Sequence, residues 1–176
     1  IEMIGNVFEN NWGPNAYGLL LKDIDKSIIK NNTFKKNTTG IYAEGSNGTS
    51  ILNNNFISNG WAIKILGNCY EDTVVNNNFL NNTFDVATNS SQNANYFNYN
   101  YWDKYKGYDL DKNNTGDVPY RPVSLFATVV ENSPDAILLL RSFFVDLLDL
   151  TEKIAPVFIP ETLVDDNPQM KMITYD

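Results

Sequence analysis

The side chains best suited to chemistry in this sequence lie in the acidic segment DLDKNNTGD, residues 109–117. Asn114 stands where a calcium-binding loop needs glycine, and Tyr120 stands where that loop needs its bidentate glutamate. The segment therefore predicts either a weak calcium site or a loop held by Asx turns, and the missing glutamate favours the Asx turns. The four oxygen-bearing side chains of the weak site would be Asp109, Asp111, Asn113 and Asp117.

Sulfur and nitrogen ligands for copper are scarce. Copper sites in proteins are built from Cys, Met and His side chains, and this sequence has one cysteine, three methionines and no histidine. Met170 and Met172 are two residues apart and could form a weak thioether site for Cu(I), although packing alone also explains them. We therefore predict no complete copper site within this chain.

Carboxylates that could cleave a polysaccharide are also sparse. Glycoside hydrolysis needs two carboxylates at one cleft, whereas Glu44, Glu71, Asp72 and Asp85 recur without any paired pattern. The absence of histidine excludes imidazole from acid–base catalysis. We predict a non-enzymatic protein, and the alternative is a surface protein that binds or degrades polysaccharide, with Trp61 as its sugar contact.

Charge and hydropathy exclude two further classes of partner. The formal net charge is -8 and the sequence pI is about 4.5, which argues against a nucleic-acid ligand. No apolar run is long enough to cross a membrane. The single cysteine, Cys69, cannot form a disulfide within the chain.

The elements that position these residues come from a repeat. Apolar phrases recur at spacings of 26, 22, 23 and 22 residues and end in an aromatic residue at Phe8, Phe34, Phe56, Phe79 and Tyr101. A period in the twenties indicates a solenoid. A second apolar strand follows at 17–21, 40–44, 61–65 and 84–88. Short strands joined by Asn and Gly turns predict an all-β right-handed parallel β-helix with 22–23 residues per coil.

Asparagine recurs at the predicted corners of the coils. Its amide can donate to the equivalent side chain in one neighbouring coil and accept from the other, and asparagine tolerates the left-handed backbone of a corner. We predict a ladder of amides formed by Asn31, Asn53, Asn76 and Asn98. Inside the coils we predict a stack of rings formed by Phe34, Phe56, Phe79 and Tyr101.

After the last coil the sequence changes to NYWDKYKGYDLDKNNTGDVPYRPV, residues 100–123. Its aromatic, Asp and Gly residues form a pattern that resembles the C-terminal region of the NosD family: Asn100, Trp102, Tyr105, Gly107, Asp109, Asp111, Gly116, Asp117, Pro119 and Tyr120. The chain departs from that pattern at Lys104, where an acid is common, and at 113–115, which replace a glycine-rich stretch. The aromatic residues are expected to close the open end of the core.

The tail extends the resemblance to the NosD family with an apolar segment containing LLLRS and an ending of the form D-x-P-x-M. Ser133, Pro134 and Asp135 predict a helix start, and the helix should run to about Lys153. The helix carries more apolar residues than one contact can bury. It is expected either to cap the end of the coils, or to cap it and also bind a partner through Leu138, Leu139, Arg141, Phe143, Phe144 and Leu147.

The resemblance carries expectations for the whole protein. NosD proteins are periplasmic β-helix proteins that assist maturation of the copper enzyme nitrous oxide reductase together with an ABC transporter. The resemblance therefore implies a periplasmic protein whose partners are the membrane subunit of a transporter and either the apo-enzyme or a copper chaperone. We expect coils over 1–101, a capping loop over 102–123 and a docking tail over 124–176, in the C-terminal part of a longer solenoid whose signal peptide precedes this sequence.

Overall fold

A computed structural model describes residues 1–90, 94–140, 142–154 and 163–175, apart from the side chains of 149 and 152–154. Fourteen strands lie in these ranges. In chain order they are β1 (Glu2–Ile4), β2 (Val7–Glu9), β3 (Tyr17–Lys22), β4 (Ile28–Lys30), β5 (Thr33–Lys35), β6 (Thr39–Glu44), β7 (Ser50–Leu52), β8 (Asn55–Ile57), β9 (Trp61–Ile65), β10 (Tyr70–Val75), β11 (Asn78–Leu80), β12 (Phe84–Ala87), β13 (Ala94–Asn98) and β14 (Tyr101–Trp102).

Every third strand joins the same sheet, so the chain winds as a solenoid. The first sheet has the order β1-β4-β7-β10-β13, the second β14-β11-β8-β5-β2 and the third β12-β9-β6-β3, and the pairings between these strands are parallel. This confirms the predicted parallel β-helix, with four coils of three strands and the start of a fifth. The predicted second apolar strands correspond to β3, β6, β9 and β12.

The core runs along the axis between the three sheets. Successive residues of a strand point to opposite faces, so one residue in two points inward. Rings at equivalent positions of the second sheet stack in a column, with centroids 5.0 Å apart between Phe34 and Phe56 and 4.9 Å apart between Phe56 and Phe79. Aliphatic side chains from the other two sheets, such as Ile29 and Ile63, surround this column.

The predicted aromatic column is wrong at its last member. Trp102, not Tyr101, pairs with Phe79, and the two rings are 4.0 Å apart. Tyr101 lies opposite Asn78 and is only partly buried. Phe97 pairs with Val74, so FNYNYW (97–102) is the phrase equivalent to VVNNNF (74–79). The predicted phrase began one residue too early, at Tyr96, which moved the predicted register by one.

The predicted amide ladder is also displaced by one residue. Asn31, Asn53 and Asn76 have positive φ angles of 57°, 55° and 56°, so they form the corners between the first and second sheets. Asn98 is not at a corner, because it pairs with Val75 at the end of its strand, and Tyr99 occupies that corner with a φ of 55°. A left-handed residue turns the chain sharply and leaves its own side chain outside, so the following side chain enters the coil.

The ladder is therefore formed by the residues that follow the corners. Asn32 donates from Nδ2 to Oδ1 of Asn54 (3.0 Å), Asn54 donates to Asn77 (3.0 Å) and Asn77 donates to Asn100 (3.0 Å). The backbone N–H of each residue bonds the same acceptor. All four side chains are buried, and together with Asn6 they form what we call the first amide row.

A second amide row crosses the coils at the corner between the second and third sheets. Its members are Asn11, Asn37, Asn59 and Asn82, linked by Nδ2–Oδ1 bonds of 2.8, 3.1 and 3.0 Å. The repeated phrases of the sequence do not predict this row. Its members follow dissimilar residues, because Asn11 and Asn82 follow an asparagine but Asn37 and Asn59 follow a lysine and a serine. In the first row, the three central members all follow an asparagine.

The C-terminal segment contains an α-helix α1 (Leu125–Asn132), a 3-10 helix (Pro134–Leu139) and an α-helix α2 (Phe143–Ile154). The single helix predicted from Pro134 to about Lys153 is therefore wrong, because it is split before Phe143, and α1 was not predicted. Helix α1 begins at Ser124, whose hydroxyl accepts from Ala127 N. Its buried residues pack against Trp61, Phe84 and Ala87 of the third sheet, so α1 covers the side of the coils and not their end.

Candidate functional site

The end of the coils is closed by aromatic residues of the capping loop. Tyr120 packs against Trp102 with ring centroids 5.2 Å apart, and Tyr105 meets Tyr120 edge-on. The Tyr105 hydroxyl donates to the carbonyl of Val118 (2.7 Å). Trp102 is fully buried, so these residues separate the ring column from solvent. The structure thus brings together Trp102, Tyr105 and Tyr120, which the sequence had placed at this end.

The two glycines of the motif make room for Tyr105. A Cβ atom added to Gly107 or to Gly116 would overlap the Tyr105 ring. Backbone bonds fix the rest of the loop, since Asp117 N donates to the carbonyl of Tyr108 (2.8 Å). Pro119, the next residue of the motif, lines a cavity together with Arg121 and Asp166.

The first amide row ends on a residue from the tail. Asp165 is buried, and its Oδ2 atom accepts from Asn100 N (3.0 Å), Asn100 Nδ2 (3.0 Å) and Trp102 Nε1 (2.9 Å). Asp165 pairs with Phe97 in parallel and with Tyr120 in antiparallel orientation. The tail therefore supplies the acceptor that a sixth asparagine would otherwise supply. Burial raises the pKa of Asp165, although the bonds from Trp102 and Asn100 oppose the shift.

The last described residues continue along the outside of the coils. Asn78 donates to the carbonyl of Ile173 (2.8 Å) and accepts from its N–H (2.9 Å). The Tyr175 hydroxyl donates to the carbonyls of Asn76 (2.8 Å) and Asn54 (3.2 Å). After Asp165 completes the first amide row, the tail therefore also forms hydrogen bonds with the third and fourth coils.

The acidic loop forms a network of hydrogen bonds with its own backbone. Asp109 accepts from Asn113 N (3.1 Å) and Asn114 N (2.9 Å), and Asp111 accepts from Asn113 Nδ2 (2.9 Å). Asp117 accepts from Leu110 N (2.7 Å). Among the described residues no group of three or more His, Cys, Asp or Glu side chains is placed to hold a metal ion. Two of the four side chains form Asx turns, since Asp111 accepts from Asn113 N (3.2 Å) and Asn113 accepts from Thr115 N (2.7 Å).

The sulfur ligands do not fit a complete copper centre. Cys69 is buried in the core, and burial raises the pKa of its thiol, which disfavours the thiolate that binds metal. Met3 packs on the core in the first strand. Met170 is half-buried and Met172 is exposed, so these two thioethers are the donors left at the surface of the described tail. We derive no copper chemistry from a pair of thioethers.

A third row of polar residues runs along the first sheet and includes Thr49, Asp72 and Asn95. Asp72 is the acid in this row, and it is buried. Asp72 Oδ1 accepts from Thr49 N (2.7 Å), and Asp72 N donates to Oδ1 of Asn95 (2.9 Å). Its Oδ2 atom is buried and has no hydrogen-bond partner among the described residues. Burial raises the pKa of Asp72 to about 6, against bonds from Thr49 and Ser46 that lower it. The equivalent residue of the next coil, Asn95, has an amide group, and its Nδ2 atom donates to the carbonyl of Cys69 (3.1 Å).

We expect Asp72→Asn to stabilise the protein at pH 7. The folded state keeps the Asp72 proton up to about pH 6 and the unfolded state loses it near pH 4, so the free energy of unfolding falls as pH rises between these values. A shift of about two pKa units corresponds to about 3 kcal/mol, which is the upper limit of the gain. Urea denaturation at pH 4 and pH 7 measures it. A gain that is equal at both pH values would contradict the assignment.

The helical segment presents an apolar surface. Leu138 is 88% exposed and Phe143 is 80% exposed. The opposite side, with Ala136, Leu140, Val145 and Leu148, packs toward α1. We call the exposed group the apolar helical face, and its members are Leu138, Leu139, Phe143, Phe144 and Leu147. Arg141, which the sequence analysis placed with them, lies outside the described residues.

A groove runs beside this face, between α1 and α2. It has a volume of about 710 Å³ and is lined by apolar and hydroxyl side chains: Leu125, Thr128, Val129, Asn132, Ser133, Leu148 and Thr151. In the part of the chain that the structure describes, no helix has the length and apolar character needed to cross a membrane.

Residues that could bind or cleave a polysaccharide take part in contacts within the protein. Trp61 is covered by Phe84 (4.2 Å between rings) and by Lys64. Glu44 pairs with Lys22 on the surface (3.2 Å), and Asp85 is buried beside Lys104 (3.2 Å). Trp61 therefore does not offer an open ring face to a sugar.

Comparison with known proteins agrees with the fold and the motif. A family model described as periplasmic copper-binding protein (NosD) matches residues 2–107. Two relatives are named probable ABC transporter binding protein NosD. The relative from Pseudomonas aeruginosa is 24% identical over 173 residues, which cover 89% of this chain and 40% of the relative. The relative from Stutzerimonas stutzeri is 25% identical over 149 residues, which cover 84% of this chain and 30% of the relative.

The chain spans less than half the length of these two relatives. The family match covers more than half of the chain and nearly all of its coils. The resemblance found in the capping motif is thereby confirmed. This chain belongs to the NosD family of periplasmic copper-binding proteins.

Proposed function

We propose that this chain is the transporter-docking part of a non-enzymatic periplasmic accessory protein for maturation of the nitrous oxide reductase copper centre. The observation that carries the proposal is the apolar helical face. Its five exposed leucine and phenylalanine side chains lie within ten residues of the chain. Large exposed apolar patches are unusual on a monomer surface and mark sites of association. The names of the two relatives, which describe binding to an ABC transporter, indicate the class of partner.

The proposed partner is the membrane subunit of the transporter. Helix α1 packs on the rigid third sheet and holds the 3-10 helix and α2 against the side of the coils. A partner that binds the apolar helical face is therefore held in a defined orientation relative to the solenoid. The coils serve as the scaffold, and a second contact with the apo-enzyme or a copper chaperone would use surfaces away from this face.

Copper enters the proposal through the whole protein. Met170 and Met172 lie at the tail beside the closed end, where Met170 N donates to the carbonyl of Asn114 (3.0 Å). Two thioethers fit a transient Cu(I) contact better than a stable site, because such a site needs further soft ligands. We therefore assign scaffolding and docking to this segment, and the principal copper ligands to the remainder of the protein or to its partners.

We expect the double substitution Leu138→Ser and Phe143→Ser to weaken binding to the detergent-solubilised transporter at least about ten-fold. Both side chains are highly exposed, and large apolar anchors carry most of the energy of an interface. The free energy of unfolding should change by less than about 1 kcal/mol, since little packing is lost. Surface plasmon resonance and chemical denaturation measure the two quantities.

The matched control is Leu110→Ser. Leu110 is 77% exposed but lies in the capping loop, outside the helical segment. It should leave transporter binding unchanged. Equal loss of binding in the control and the double variant, or no loss in either, would contradict docking through the apolar helical face.

A further inference from the structure

A small cavity lies where the tail returns to the coils. Its volume is about 360 Å³, at the lower end of the range for ligand pockets. The capping loop, β13 and the returning tail meet there, so three separate parts of the chain form its wall. The residues that line it include Asn95, Tyr96, Pro119, Arg121, Val164 and Asp166.

Arg121 is the unusual member of this wall. A guanidinium group has five N–H donors, and the Arg121 side chain makes no hydrogen bond or ion pair with any described residue. Its Nη1 atom is shielded from solvent. A shielded cationic donor without an acceptor is costly, and partial burial strengthens its attraction for an anion. The described residues supply no acceptor, so the group favours a ligand that brings one, and a carboxylate matches its planar fork.

Asp166 supplies the opposite charge in the same cavity. It is exposed and forms no ion pair with Arg121 or with another described cation. Its neighbour Asp165 is bonded to the first amide row, so Asp166 is the accessible carboxylate within residues 163–175. A simple anion would be repelled by Asp166 and by the net charge of -8. A ligand that carries both a negative and a positive charge would pair with both Arg121 and Asp166.

We propose that this cavity binds a small zwitterion of the amino-acid class. The carboxylate of the ligand accepts from the Arg121 guanidinium, and its ammonium group donates to Asp166. The volume limits the ligand to a small molecule. This site is separate from the apolar helical face, so its presence or absence does not depend on docking to a transporter.

The test is calorimetric titration of the full chain at low salt with glycine, β-alanine and γ-aminobutyrate, compared with propionate and propylamine. We expect at least one zwitterion to bind about ten-fold more tightly than either singly charged analogue. Arg121→Gln should weaken that binding at least about ten-fold, because it removes the charge-assisted hydrogen bonds. Asp166→Asn should abolish the preference over propionate. Lys171→Gln, which removes an exposed tail charge outside the cavity, should change nothing.

Three outcomes would overturn the proposal. In the first, none of the zwitterions saturates the protein at concentrations up to about 50 mM. In the second, the Arg121→Gln variant binds the zwitterion as tightly as the wild type does. In the third, propionate binds as tightly as the best zwitterion. If Arg121→Gln does not fold, Arg121→Lys replaces it, since lysine keeps the charge but loses the fork. That variant should fold and bind more weakly than the wild type, and unchanged affinity would also overturn the proposal.

Discussion

Replacing Asn54 with glycine is expected to cost about 3 to 5 kcal/mol of the free energy of unfolding, whereas replacing its neighbour Asn53 with glycine should cost less than about 1 kcal/mol. Asn54 Nδ2 donates to the carbonyl of Ile29 (2.8 Å) and to Asn77 Oδ1 (3.0 Å). Its Oδ1 accepts from Asn32 N (2.9 Å). Glycine leaves these buried groups without partners.

Asn53 is the matched control because it is the adjacent residue of the same type. It supplies a corner with a φ of 55°, which glycine adopts at no steric cost. Urea denaturation of the two variants measures the difference, and backbone amide exchange at Asn32 reports the loss of its acceptor locally. If both variants lost the same free energy of unfolding, this would contradict an amide row formed by the residue that follows the corner.

Replacing Asp165 with leucine should cost about 3 to 5 kcal/mol, although the two side chains have similar size. Three N–H groups of Asn100 and Trp102 donate to its Oδ2, and leucine leaves them buried without an acceptor. The same substitution removes the side-chain bonds between the tail and the end of the coils, whereas the backbone bonds of Asp165 with Tyr120 remain. Chemical denaturation, with amide exchange at Asn100, measures both effects.

Asp165→Asn is the control for the shape and polarity of the site. A carboxamide oxygen can accept the same three bonds and extends the first amide row by one member, and the only bond lost is the longer one that Oδ1 accepts from Asn167 N (3.2 Å). Since burial already raises the pKa of Asp165, loss of the charge is tolerated, and we expect a change within about 1 kcal/mol. If the leucine and asparagine variants lost the same free energy of unfolding, the negative charge of Asp165 would explain its contribution and the hydrogen bonds would not.

These variants are better tools than truncation for separating docking from folding. Leu163 belongs to the buried core and Asp165 completes the first amide row, so removal of the tail would open the end of the coils. Substitutions on the apolar helical face leave both residues in place. Loss of transporter binding in those variants can then be assigned to the surface and not to an unfolded solenoid.

The solenoid was predictable because its register is encoded locally. Aromatic residues at spacings of 22 to 26 predict the coil, since parallel strands stack equivalent positions on each other. The exact ladder was not predictable, because adjacent asparagines are chemically identical in sequence. Asn53 and Asn54 differ only in backbone conformation, and the hydrogen bonds from neighbouring coils decide which of them turns the corner.

The helical segment shows a different limit. The sequence correctly placed a proline at the start of a helical turn, but the chain between Pro134 and Lys153 forms a 3-10 helix and a separate α-helix. Helix α1 is eight residues long and has buried residues that pack with residues of β9 and β12, which lie 39 or more positions earlier. Short helices are marginal alone and depend on tertiary packing, which a local pattern does not report.

The sequence by itself determined the coil, its Asn-rich corners, the motif that closes the end and the surplus of apolar residues in the helical segment, because each is a local or periodic pattern. Only the tertiary structure decided that Asp165 completes the row begun by Asn6, that α1 covers Trp61, and that Arg121 and Asp166 line one cavity. Those contacts join residues far apart in the chain. Their partners are chosen by burial and by the need to satisfy hydrogen bonds, which depend on the folded geometry.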